Sequence, residues 1–511
     1  MMSKDKRKSS FLDSMGYWAT YVYVLMMLGL YPVFYRENIL HIIRDKKDFF
    51  LFFTILYLIV LCPAGIASLA ALWKKNISEK FTVRADTIYL LVLALSVGLS
   101  VFFAPDRNRA LNGLSYRTVA ADVFLLCILV YFGVRTYGKY TSAVIWSWLF
   151  GSTSVYLFGI LSSCKINFLH MQDGLGAPHI FLSPLGNSNF NASFVCLVLP
   201  LVLAMYMVSK EAFSKIIYAV VMYIGFLFTI FIKTESSVIS ILAALLLLFF
   251  FALEKEEWFR RFAEIVVIFA AAHTTIFLLL QFWEDHLWPF DGLDAFLLRG
   301  FMVLSGWFAA AVLWGVSRWK AQVRLWLLKW RKVMVCSLGI AAVLFVVIFV
   351  FVNLIFAKAV QGSIFERLLL TNESFSNRGI LWKSTIELLR KSSFTEILFG
   401  HGLNCYQMVI MPFHYEEMIQ YFGTVMTDPH NEFLQVFTDM GILGTCGYFG
   451  FLISSLVFAF RRWKENEWMI AAVISISIYL LQGLVNCYAI FHLPILFLFL
   501  GLVNGGMGKD D

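Results

Sequence analysis

Recurring long apolar runs place the first limit on what this chain folds into. About fourteen segments of roughly 20 mostly apolar residues follow one another, the length an α-helix needs to cross a hydrocarbon layer. The stretches "YLLVLALSVGLSVFF" and "FVCLVLPLVLAMYMV" are typical. Alternation with a period of two, which a membrane β-barrel strand requires, is absent over these runs. Only 14% of the 511 residues are charged and 60% are hydrophobic, with a mean hydropathy of +0.77. A soluble domain carries about 25% charged residues. The expectation is an all-α integral membrane protein, a polytopic helical bundle of about 12–14 spans with one large external loop containing interfacial helices.

Orientation follows from Lys and Arg, which favour the inner side of a membrane. The chain opens on a basic stretch, "MMSKDKRKSS", with no small-residue cleavage site after it, so the first span reads as an anchor with the amino terminus inside. "SRWKAQVRLWLLKWRK" and "RRWKENE" then fall inside, while "WEDHLWPFDG", free of Lys and Arg, falls outside. One short loop, "YRENILHIIRDKKDFF", dissents by carrying four basic residues to the outside. The net charge of +8 is accounted for by topology and by contact with anionic lipids, so no nucleic-acid partner is expected.

Two external segments are long, 162–188 and 357–431, and long ordered loops are usually functional. They suggest a division into an N-terminal bundle (1–356), an external catalytic loop (357–431) and C-terminal helices (432–511). Within the second loop, "SNRGILWKSTIELLRKS" has a helical pattern with Leu381, Trp382, Ile386 and Leu389 on one face and Ser376 or Asn377 as cap. Eight cysteines are scattered without metal-site spacing; Cys164 and Cys405, both external, are able to pair.

The polar groups with chemical potential gather near these loops. In "TDPHNEFLQVFTDMGILGTCGYFG", residues 427–450, Glu432, Gln435 and Asp439 share one helical stripe, and Asn431, Gln435 and Thr438 an adjacent one. Buried packing and catalysis explain such a stripe about equally, since ionisable groups within spans are by default functional candidates. Arginines tip the balance. Arg378 opens the loop helix, Arg367 lies upstream, Arg107, Arg109 and Arg117 cluster in "APDRNRALNGLSYRT", and Arg299 lies in "FLLRGF". Each one alone is explained by snorkelling to headgroups. Together beside His430 and Glu432 they suggest an anion site, because a guanidinium fork suits phosphate oxygens. A third element, "GNSNFNASFVCLVLP", sets Asn187, Asn189 and Asn191 within five residues at a span start, more than a helix cap needs.

These residues bear a family likeness. The GNxN opening before an "LP" span, the "RGILW" helix start, the "GHG" turn and above all "HNEFLQVFTDMGILG" make the chain resemble the O-antigen ligase and polymerase superfamily of bacterial membrane glycosyltransferases. The likeness covers most of the chain. It implies a multi-pass protein of the bacterial cytoplasmic (inner) membrane whose active site faces the periplasm or cell exterior. The partners implied are a polyprenyl-diphosphate-linked glycan donor, a glycan or lipid-glycan acceptor and membrane lipids. No cofactor, nucleotide sugar or metal is implied. Carried over by residue, His430 is the base or acceptor-orienting group, Arg378 the arginine on the diphosphate, and Arg109 a weaker match through "RNRALNGL". Where many relatives carry Ser-Arg, this chain has "KTESSVIS", so Lys233 or Arg299 would have to cover that arginine.

The expected reaction is an inverting transfer in which arginines stabilise the departing diphosphate and His430 takes the acceptor proton. The expected set is His430, Arg378 and Glu432 for catalysis, the last orienting His430 or the acceptor. Arg378, Arg299, Arg109, Arg107, Arg117 and Lys233 are expected on the diphosphate, and Asn187, Asn189 and Asn431 on the glycan. A repeat-unit polymerase of the same superfamily differs only in acceptor. A lipid-linked glycan transporter is the rival from another class; it would be marked by paired inverted repeats, which the sequence does not display.

Overall fold

The computed structural model describes residues 11–76, 83–114, 119–319, 321–355 and 368–506. In chain order the helices are α1 (Phe11–Gly29), α2 (Ile42–Asn76), α3 (Ala85–Phe103), α4 (Arg107–Asn112), α5 (Ala121–Tyr137), α6 (Ser142–Ser163) and α7 (Ser188–Val208). There follow α8 (Ala212–Phe231), α9 (Glu235–Ala252), α10 (Glu256–Phe282), α11 (Gly292–Leu297), α12 (Gly300–Trp319) and α13 (Ala321–Leu354). The loop helices are α14 (Ser374–Lys391), α15 (Phe394–Phe399) and α16 (Tyr406–Phe422), before α17 (Glu432–Arg462), α18 (Met469–Gln482) and α19 (Leu493–Gly506). Among the described residues, 10 helices are long and apolar enough to cross a membrane. The remaining apolar runs form α1, α5, α18 and α19, so every run read from the sequence is helical.

At the centre stands α7. Every residue from Phe190 to Val208 is buried, which is where a helix apolar on all sides belongs. It packs against α8, α9 and α18, and its N-terminus is fixed by a small hairpin, β1 (Phe181–Ser183) with β2 (Gly186–Asn187). The C-terminal helices close the bundle, α17 on α3, α18 on α7 and α19 on α5.

Two departures from the sequence reading bear on the site. α17 is not one straight helix: Gly441, at φ +66°, breaks it just past Asp439. The break frees backbone carbonyls, and the Thr438 oxygen accepts from His401 N at 2.7 Å while the Asp439 oxygen accepts from Ser100 Oγ at 2.6 Å. A Cβ on Gly441 would come within 2.4 Å of the Leu398 backbone, so only glycine lets the "GHG" turn dock there. α14 also turns a different face inward. Leu381, Thr385 and Leu388 are buried against α16, Thr385 Oγ1 meeting the Tyr406 hydroxyl at 2.9 Å, while Ile386 is exposed. Trp382 lies half-buried against Phe375. Neither Ser376 nor Asn377 caps α14, because Phe375, Ser376 and Asn377 all adopt left-handed backbone.

The dissenting basic loop resolves as a set of pairs. Arg36 meets Asp48 at 3.2 Å, Lys47 meets Asp122 at 2.6 Å, and buried Lys46 donates to the Tyr31 and Pro32 carbonyls at 2.6 and 2.8 Å. Structural pairing holds these cations, not the side of the membrane they face. None of the eight cysteines forms a disulfide; the Cys405 thiol points to the Asp106 carbonyl, and Cys164 caps α6.

Candidate active site

Three helix starts converge on one cavity of about 640 Å³. The first is that of α14. Gly379 lies so close to the Thr371 carbonyl that a Cβ would sit 1.8 Å from its oxygen, which explains the glycine after Arg378. The left-handed residues before it then swing Arg378 into the cavity. Its guanidinium donates to Phe375 O at 3.2 Å and to Asn189 Oδ1 at 3.1 Å, and its buried Nε has no hydrogen-bond partner. Burial lowers its pKa, opposed by Cys487, Asp428 and Glu235. A half-buried cation with an enclosed, unused donor is costly unless something anionic completes it.

The start of α17 supplies the second group. His430 has φ +48°, a strained conformation for a non-glycine residue, and such strain clusters at functional sites. Asp428, buried and held by Thr427 Oγ1 at 3.2 Å, accepts from His430 N at 3.0 Å, and its Oδ1 lies 3.2 Å from His430 Nδ1. The Asp-Pro turn thus presents a histidine backed by a carboxylate, with the ring lining the cavity. Asp428, His430 and Cys487 also place one potential ligand atom each within 4.8 Å of one another, a group able to hold a metal ion.

The third contribution comes from α7 and from the α8–α9 turn. Asn189 bridges to Arg378, and Lys233, itself at φ +56°, lines the cavity while donating to Pro289 O at 2.9 Å. Burial lowers the Lys233 pKa to about 8, against the pull of Asp291 and Asp294. Beside it the cavity wall turns acidic, with Glu235, Asp291 and Asp294.

Of the residues expected from the sequence, the structure therefore brings together His430, Arg378, Asn189 and Lys233. The others lie elsewhere. Glu432 faces the bundle interior, fully enclosed, where the Tyr448 hydroxyl donates to it at 2.5 Å and the Tyr479 hydroxyl at 2.9 Å. Glu432 is the first residue of α17, two past the left-handed His430, and its side chain turns into the bundle and away from the cavity. Asn187 caps α7 through Phe190 N, and Asn431 caps α17 through Leu434 N while donating to Leu484 O at 2.7 Å, so both amides are engaged in holding helix ends. Arg299 stacks on Phe296, and Arg107 on Phe102. Arg109 ties α4 to the start of α16 and the residues just before it, donating to Asn404 O at 2.7 Å and Gln407 Oε1 at 3.1 Å. Arg117 and Arg367 lie outside the described residues. Three cavity groups escaped notice in the sequence; the signal for Asp291 and Asp294 was the acidic loop "WEDHLWPFDGLD", read only for orientation, and Glu235 lay in "KTESSVIS", read only for its missing arginine.

Residues 297–449 match the O-antigen ligase family, a stretch that holds both Arg378 and His430, while Asn189 and Lys233 join the cavity from outside it. No curated protein matches the chain. The matched stretch runs from the end of α11 to the middle of α17, so two of the groups on the cavity, Arg378 and His430, lie within a region similar to the O-antigen ligase family, set in a helical membrane bundle.

Proposed function

We propose that this protein moves a glycan from a polyprenyl diphosphate to a hydroxyl of a sugar or lipid-sugar acceptor at the external face of the bacterial cytoplasmic membrane. The observation that carries the reading is the meeting of Arg378, Lys233 and His430 on one cavity, the histidine backed by Asp428. Arg378 and Lys233 hold the diphosphate and take up the charge that grows on it as the anomeric C–O bond breaks, an electrostatic role for preorganised cations. His430 accepts the proton of the attacking hydroxyl through the ring nitrogen not facing Asp428, and the Asp428 carboxylate stabilises the imidazolium that forms. The acceptor oxygen bonds to the anomeric carbon from the face opposite the diphosphate, so the centre inverts. Asn189 holds Arg378 in register.

The test is transfer in nanodiscs from an undecaprenyl-diphosphate oligosaccharide to a lipid-linked glycan, with and without chelator. Product formation lost in His430→Ala and in Arg378→Ala supports the assignment. Full activity in either variant removes that residue from it. Loss on chelation would assign Asp428, His430 and Cys487 to a metal instead of a proton relay. A product ladder marks a polymerase, a single addition a ligase.

A further inference from the structure

The acidic side of the cavity is unexplained by diphosphate binding, since carboxylates repel phosphate. Asp294 is 2% exposed, yet its Oδ1, on the cavity wall, has no hydrogen-bond partner. A buried carboxylate oxygen left unpartnered in a native fold calls for an explanation, and one that lines a cavity points to a ligand. Around it Glu235 Oε1 accepts from Leu293 N at 3.4 Å, which docks the start of α9 on the α10–α12 connection, and Asp291 stands exposed beside Lys233. Burial pushes the Asp294 carboxyl up to about 7, Glu235 and Asp291 adding to the effect and Lys233 opposing it.

We propose that Asp294, Asp291 and Glu235 form the acceptor-sugar subsite, binding vicinal hydroxyls of an uncharged pyranose and rejecting acidic sugars. The inference rests on the glycosyl-transfer reading and adds to it the class of acceptor. An ionised carboxylate accepts hydrogen bonds only, a protonated one also donates from one oxygen, and a sugar ring offers hydroxyls in adjacent pairs that can donate to or accept from two such oxygens. Among the described residues, these three are not among the groups close enough to share a metal ion, so a bridging cation is not the better occupant. Phe375 and Phe422 line the same cavity and offer apolar faces for the ring carbons. Discrimination follows from charge. A hexuronic acid or similar acidic sugar would bring its carboxylate against three others in a partly enclosed space, and like charges brought together in that way are strongly disfavoured.

The experiment uses the full-length protein in nanodiscs and four probes: undecaprenyl diphosphate, and alkyl oligosaccharides ending in a neutral hexose, a hexuronic acid or a free-amine hexosamine. Wild type should bind the neutral-hexose probe about tenfold or more tighter than the uronic one. Asp294→Asn should weaken the neutral probe by about fivefold or more while leaving undecaprenyl diphosphate binding and the unfolding midpoint in place. Asp291→Asn combined with Glu235→Gln should narrow the gap between neutral and uronic probes; this pair is exposed and tolerates substitution even if Asp294→Asn does not fold. Equal binding of the neutral and uronic probes by wild type overturns the proposal, as does an unchanged neutral-hexose affinity in Asp294→Asn. Selective retention of the hexosamine probe alone would make the wall an ammonium site and also overturn it. Sugar discrimination without any binding of undecaprenyl diphosphate would instead sink the glycosyl-transfer reading and leave the carboxylate wall standing.

Discussion

Two regions at the loop end of the bundle gather arginine, and they use it differently. Along α4, Arg109 has a backbone carbonyl and a glutamine amide as partners, and Arg107 lies over the Phe102 ring. At the start of α14, Arg378 holds Asn189 and one carbonyl, keeps a buried Nε without a partner, and faces a cavity shared with His430 and Lys233. The residue type is the same and so is the side of the bundle. What separates them is not the number of bonds, two apiece for Arg109 and Arg378, but that Arg378 lines a cavity and keeps a buried Nε unused. An arginine packed between two segments is a brace; one with an unused donor on a cavity wall is ready for a ligand.

The largest effects should therefore fall on the second region. His430→Ala should lower kcat/KM by about 10²–10⁴, the usual loss for a positioned general base. Arg378→Ala should cost about 10²–10³, as for removal of one preorganised donor to a transition-state charge, and Arg378→Lys should recover little because a lysine lacks the fork. Steady-state transfer kinetics beside thermal unfolding would decide. If either variant loses activity only in proportion to lost folded protein, the contrast between brace and ligand group fails for that residue.

Much of the fold could be read from the sequence, because burial in lipid leaves a period and a length that single segments carry by themselves. The apolar runs became helices, and the motif histidine and arginine reached one cavity. The rest depended on contacts between distant segments. Which face of α14 turns inward was decided by α16, whose Tyr406 hydroxyl meets Thr385. The fate of Glu432 was decided by Tyr448 and Tyr479, from the far part of its own helix and from α18. The helical stripe of Glu432, Gln435 and Asp439 was real, yet it faces the bundle; the Tyr488 hydroxyl donates to Asp439 and the Tyr488 amide to Gln435 Oε1. The acidic wall was invisible because Glu235 and Asp294 reach one cavity from the starts of α9 and α11, joined by the bond from Leu293 N to Glu235 Oε1, a contact no spacing rule encodes.

Lys233 supplies a graded test of the cationic region through pH. Burial lowers its pKa from the usual 10.5 to about 8, so folding favours the neutral amine. The sign for stability is that the cost of the buried charge is full below about 8 and vanishes above the unfolded value, so this residue favours folding as pH rises. Donor binding runs the other way, since only the ammonium attracts diphosphate. Undecaprenyl diphosphate affinity should fall by up to about tenfold between roughly pH 7 and pH 9 as the amine loses its proton. In Lys233→Arg the profile should flatten, because a guanidinium stays charged throughout. A profile identical in Lys233→Arg and wild type would take Lys233 out of the donor site.

The smallest effect on catalysis should come from Arg109, and it is the sharpest test of the comparison. Its donors join α4 to Asn404 and to Gln407 in the first turn of α16, so Arg109→Ala leaves the Asn404 carbonyl and the Gln407 amide oxygen without their charged partner, a loss of about 1–3 kcal/mol by the usual cost of such bonds. Thermal unfolding should register that loss, while kcat/KM of the folded fraction should stay within about twofold of wild type. Because Arg109 and Arg378 have no common hydrogen-bond partner among the described residues, the double variant should show the activity of Arg378→Ala and the stability of Arg109→Ala, each added without coupling. If Arg109→Ala instead lowered kcat/KM as far as Arg378→Ala, with the fold intact, the α4 loop would have to reach the diphosphate during the reaction, and the distinction between a braced and an open arginine would describe only the unliganded state.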